Sequence, residues 1–173
     1  KITVSTSILV PKPFTPFQWA PMARPEIVDE RIKAVRGAIK SRSIVYNYHE
    51  QETSFMEAVF ARGDRRTCDV LIKAFEKGAK FDGWSEYFNM EIWNEAMEEC
   101  NLDSEFYVYR EREYDEILPW DFIDIGVNRK YMERENEKAK KAELTKNCLE
   151  GCTGCGINVN FKEGKCFEGA IRN

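Results

Sequence analysis

The chain has 173 residues, 43% hydrophobic and 32% charged, enough for one compact domain or a domain with an appendage. No apolar run approaches a membrane-spanning length and nothing resembles a secretion signal, so a cytoplasmic protein without a membrane partner is expected. The net charge of −4 is uneven: residues 1–80 carry 14 basic against 9 acidic residues, and residues 81–173 carry 12 against 21, which admits RNA or an acidic protein surface on the first half only.

From Lys1 to Val10, Ile2, Val4, Ile8 and Val10 alternate with Thr and Ser, which predicts a strand with one buried face. The chain opens inside this run, on Lys1, so it is expected to be a piece of a longer protein. A strand this regular needs neighbours, and pairing with a second copy in a dimer is one expected solution. Four prolines between Pro11 and Pro21 stop helix and ladder alike, leaving Phe14, Phe17 and Trp19 on a stiff loop that either presents them to a partner or caps the core. Val28, Ile32, Val35 and Ile39 recur at helical spacing after Pro25, and Ile44 to His49 reads as a second strand, so strand, loop, helix and strand form one β/α unit. His49, the single histidine, sits at the end of that strand, where it either touches a ligand or makes a structural hydrogen bond.

Residues 53–62 predict a helix with Phe55, Met56, Val59 and Phe60 inward. Gly63 suits its C-terminal cap, and Asp64 the N-cap of a further helix burying Val70, Leu71, Ala74 and Phe75. Arg62, Arg65 and Arg66 beside that helix start, with Asp64 between them, form a candidate substrate or anion site, to which Lys12 is added. The alternative is that Asp64 caps the helix and the arginines pair with nearby acids. Phe81 to Trp84 is a turn before a helix over 89–100 that buries Trp93, Ala96, Met97 and Cys100, and Cys68 and Cys100 are expected as small buried residues. Leu118 to Ile125 is expected as an extended segment or edge strand, with Asp121 and Asp124 a carboxylate pair or simply solvated. The helix over 128–143 is mostly charged and is expected to lie exposed, carrying the last segment as an arm.

That last segment holds Cys148, Cys152, Cys155 and Cys166, with glycines at 151, 154 and 156 that let the backbone curl. C-x3-C-x2-C with a distant fourth thiol fits a tetrahedral zinc site, and three thiolates at this spacing equally hold a four-iron cluster. In a reducing compartment such clustering favours metal over disulfide.

Lys12 to Trp19, the run Ala61-Arg62-Gly63-Asp64-Arg65-Arg66, the Phe81-Asp82-Gly83-Trp84 turn and the terminal C-x3-C-x2-C-G together resemble the C-terminal part of radical-SAM proteins with an upstream B12-binding domain. The resemblance implies an α+β, mostly helical chain in three parts. Residues 1–49 would be the closing strand-helix-strand portion of a partial β/α barrel, 50–147 a helical extension, and 148–173 a metal-binding tail. It also implies that S-adenosylmethionine and cobalamin are bound only by the full-length parent, through the N-terminal part missing here. The chain would then not be catalytic alone, contributing part of the substrate end and an auxiliary iron-sulfur or zinc site. Gly154 stands where radical-generating clusters place an aromatic residue, which fits an auxiliary role. The reading from a different class is a zinc-stapled module that binds RNA or protein.

Overall fold

The computed structural model describes residues 1–161. Strand β1, Ile2–Thr6, pairs in parallel with β2, Ile44–Tyr48, with Ile2 opposite Ile44 and Thr6 opposite Tyr48. Parallel strands need a crossover, and helix α1, Pro25–Ala38, provides it. Pro25 pre-sets its first turn, and the chain leaves the helix at Ile39 in an extended conformation. The predicted first strand stops four residues early. After the His49 N–H bonds to the Thr6 carbonyl the partner strand ends, so residues 7–10 have no ladder to join. The expected buried face is likewise uneven, for Ile2 is exposed while Val10 reaches the core.

Five further helices follow among the described residues before a short terminal one: α2 Gln51–Arg62, α3 Thr67–Glu76, α4 Met90–Glu99, α5 Ser104–Val108 and α6 Arg129–Lys140, with α7 at Ile157–Asn160. The described chain is therefore α+β and mostly helical. No helix in it is long and apolar enough to cross a membrane. Asn89 caps α4 by accepting from the Glu91 N–H, and Asp103 caps α5 by accepting from the Phe106 N–H.

The chain divides into two compact units, one of Lys1–Lys12 with Ala20–Arg112, the other of Pro13–Trp19 with the residues from Glu113 on. In the first, α3 packs on α4 and α2 on α5 around Met56, Val59, Val70, Trp93, Met97 and Val108. The contact is close because Ala58, Ala74 and Ala96 are fully buried and offer little bulk. It covers one face of α3, through Thr67, Val70 and Ala74. Leu71 and Phe75, expected inside, lie about 100° further round the helix. They are exposed, Phe75 by 62%. Phe60 is also partly exposed, and neither Cys68, exposed, nor Cys100, half-buried, is the buried residue expected. Lys77 ties the two helices outside the core by reaching Glu95 and Glu99.

The second unit is built around aromatic side chains. Pro16–Trp19 forms a short 3-10 helix that turns Gln18 and Trp19 inward, and Trp19 packs with Leu118, Trp120 and Met132. Gln18 is its polar centre: Oε1 accepts from the Phe14 N–H at 3.1 Å and from Trp120 Nε1 at 2.7 Å. The segment expected as an edge strand over 118–125 is instead a run of turns. Asp121 accepts from the Leu118 N–H and from the Arg129 guanidinium at 2.7 Å, and Asp124 from the Gly126 N–H, so each carboxylate has partners of its own. Helix α6 buries Met132 and Asn136, which corrects the expectation of a freely exposed arm.

Candidate metal centre

The residues gathered in sequence as one basic cluster have separate duties. Helix α2 ends at Arg62, whose side chain is 1% exposed and points into its own unit. Its guanidinium donates to three main-chain carbonyls, Tyr107 O at 2.6 Å, Ala20 O at 2.6 Å and Arg110 O at 2.8 Å, while Arg112 donates to the Arg62 carbonyl. Gly63 does cap α2, but with ordinary negative φ. It is glycine because a Cβ there would lie 2.6 Å from Val59 O and 2.3 Å from Thr67 Cγ2. Asp64 sits in the turn before α3 rather than at its N-cap: Oδ1 accepts from the Arg66 N–H at 2.9 Å, Oδ2 from the Arg66 guanidinium at 2.6 Å and from the Tyr107 hydroxyl at 2.9 Å. Arg65 is exposed, and Lys12 is ion-paired with Glu57. Arg62 thus faces away from solvent and Arg66 is matched by its own acid.

The guanidinium of Arg66 holds the Asp64 carboxyl well below the usual carboxylate range, against the smaller opposing effect of burial, and the tyrosine hydroxyl adds to the lowering. Burial, then the bond to Asp64, raises Tyr107. A depressed folded-state carboxyl stabilises the protein above its unfolded pKa, near 4, and that contribution fades as pH falls further towards the folded value. We expect the stability difference between wild type and Asp64→Asn to be constant above about pH 5 and to shrink below about pH 4. Urea melts at stepped pH measure it, and a difference that grows on acidification would contradict the pairing.

The cysteine turn has a clearer frame. Helix α6 offers Tyr131 and Arg134, three residues apart and so on one face, and Asn128 stands at its N-cap. The Asn128 N–H donates to the Cys155 carbonyl at 2.8 Å. Arg134 donates to the Thr153 carbonyl at 2.6 Å, and the Thr153 hydroxyl lies 3.4 Å from the Tyr131 hydroxyl. Arg134 also lies against the Tyr131 ring, 5.1 Å from its centre. Gly156 is buried at φ +103°, and a Cβ there would meet the Asn128 side chain at 2.7 Å, so only glycine lets the turn sit this closely on the helix start. The residues that follow are tied down as well, through Asn160 Nδ2 to the Gly126 carbonyl at 2.8 Å.

On this turn Cys148 and Cys152 are exposed and Cys155 is half-buried, and all three are free thiols. Asn158 Nδ2 lies 4.0 Å from Cys152 Sγ, an amide facing sulfur. Cys166 lies outside the described residues. Among the described residues no three His, Cys, Asp or Glu side chains converge on one point. In residue type the donor set nevertheless fits a soft metal: three free thiols at a ligating spacing on a glycine-rich turn, with the Asn158 amide facing one sulfur and the Arg134 guanidinium on the backbone between Cys152 and Cys155. His49 is exposed at the end of β2, and its backbone N–H holds Thr6. Asn128, Tyr131 and Arg134 were missed in sequence because a charged helix reads as solvated. The signal available was their spacing of three ahead of the cysteines.

No protein-family model, curated protein or solved structure matches the chain.

Proposed function

We propose that this chain is the C-terminal portion of a radical-SAM-type, cobalamin-associated iron-sulfur enzyme, and that Cys148, Cys152 and Cys155, with Cys166 as fourth ligand, hold an auxiliary cluster. The observation that carries the reading is the C-x3-C-x2-C turn itself, with three free thiols, two exposed and one half-buried, on a loop anchored to α6. The parallel β1–α1–β2 unit supports the barrel portion. Parallel sheets are stable when covered on both faces and flanked by further strands. This one has two strands among the described residues, and a cavity of about 510 Å3 lined by Thr6, Ile8, Ile27, Ile32, Val35 and Tyr46 lies against α1. On this reading residues 1–49 close a β/α barrel whose other strands, with the S-adenosylmethionine and cobalamin sites, belong to the rest of the protein. A cluster at the cysteines would supply electron transfer or a structural tie.

Metal analysis of the chain purified in air and without oxygen tests this. Iron and sulfide in matched amounts, with a broad charge-transfer absorption in the anaerobic preparation, is the expected result, and Cys152→Ala should lower the bound iron. Zinc near one per chain in both preparations would replace the enzyme reading with that of a zinc-stapled binding module. Absence of both metals, or unchanged metal in Cys152→Ala, would remove the ligand assignment.

A further inference from the structure

The face of α6 that grips the cysteine turn has a consequence for the charge of anything bound there. A divalent metal held by three or four thiolates carries a net negative charge, and nearby cations and N–H groups that offset it strengthen binding. One helix supplies the compensation here. Arg134 donates to the carbonyl of Thr153, the residue between Cys152 and the Gly154-Cys155 pair, which places a permanent cation against the turn, with the Glu135 carboxylate on its other side at 3.8 Å. The amide at the start of α6, where the helix carries partial positive charge, holds the carbonyl of Cys155. Tyr131 fixes the guanidinium plane from beneath and the Thr153 side chain from the side.

We infer that Arg134 is a positioning and charge-balancing residue for the thiolate centre, acting through Thr153 rather than touching the metal. Asn128 and Tyr131 complete its grip on the turn. This rests on the metal reading above. It goes further in assigning the 152–155 half of the motif as the half that α6 holds. The geometry supports that assignment: Thr153 and Cys155 are bonded to α6, whereas the bonds next to Cys148 are local to its own loop, from the Leu149 N–H to Asn147 Oδ1 and from the Glu150 N–H to the Asn147 carbonyl.

The test is a Co2+ titration of the full chain under reducing, oxygen-free conditions, following the sulfur-to-cobalt charge-transfer absorption, for wild type, Arg134→Ala, Arg134→Gln and Arg134→Lys. Arg134→Ala should bind Co2+ on the order of 10–100-fold more weakly, the range found when the outer contacts of metal ligands are removed. Because the side chain is half exposed, circular dichroism and tryptophan emission should be unchanged. Arg134→Lys should recover most of the affinity and Arg134→Gln little of it, since charge is what the centre needs. Equal affinity in wild type and Arg134→Ala would overturn the inference and leave the metal centre standing. Loss of affinity only in step with loss of circular dichroism across all three variants would also overturn it, by making Arg134 a folding residue. Wild type with no charge-transfer band at any Co2+ concentration would overturn the metal reading itself, and this inference with it.

Discussion

Replacing Arg62 by Ala should destabilise its unit by about 4 kcal/mol or more, among the largest effects available to a single substitution in this chain. The reasoning is local. Three main-chain carbonyls, a buried one from Tyr107 and partly buried ones from Ala20 and Arg110, each accept a hydrogen bond from one guanidinium. A hydrogen bond to a charged donor contributes roughly 1.5–3 kcal/mol, and stranding a buried acceptor costs its full desolvation. The guanidinium joins the end of α2 to residues 107–110 and to the chain at Ala20, so its loss loosens three segments together. Arg62→Lys should recover little, because an ammonium cannot reproduce a planar fork reaching three acceptors. Urea unfolding followed by circular dichroism measures both variants. A loss below about 1 kcal/mol would mean that the carbonyls find other donors, and that the arginine was available to a ligand after all.

Trp19→Ala should cost roughly 3–5 kcal/mol in the second unit, the range for emptying a large aromatic site in a packed core. Trp19 is 1% exposed and meets Tyr114 edge-on, with ring centres 5.0 Å apart. Its Nε1 makes no hydrogen bond among the described residues, so the ring stabilises by packing and by the Arg129 guanidinium 5.8 Å from its centre. Trp19→Phe should therefore lose much less than Trp19→Ala, having removed volume but no bond. Thermal melts of the two variants give the comparison, and equal losses would show that the indole N–H matters and that the packing account is wrong.

Much of the backbone was legible from short-range pattern. The 3.6-residue recurrence of Val28, Ile32, Val35 and Ile39 located α1, and the β-branched and aromatic run after it located β2, because these periods follow from covalent geometry alone. The stripe of Trp93, Ala96, Met97 and Cys100 places the helix over 89–100 within a residue of its observed start at Met90. The cysteine turn was legible for the same reason: ligand spacing is a property of a few consecutive residues.

Side-chain direction was less so. Leu71 and Phe75 belong to the same apolar stretch as Val70 and Ala74, and only the one-sided packing of α3 on α4 selects which pair is inside. The arginines show the limit most clearly, since in sequence Arg62, Arg65 and Arg66 are equivalent cations. Arg62 is the last residue of α2, and the segment that folds over it comes from 45 to 48 positions later, so its inward course depends on contacts that no local pattern encodes. Pro13–Trp19 is the same case in apolar form: two prolines and three aromatics announce a stiff, sticky loop, but not that it joins residues beyond Glu113. Helix α6 adds Met132 and Asn136, too small a buried face for an apolar period to register. The sequence by itself determined the two strands and the helices α1 to α4 and α6 to within a few residues, and where metal-type thiols cluster, because those follow from bonds and spacings within a few turns. Tertiary structure alone decided which face is buried, which arginine turns inward and which helix holds the cysteines, because burial is settled by partners distant along the chain.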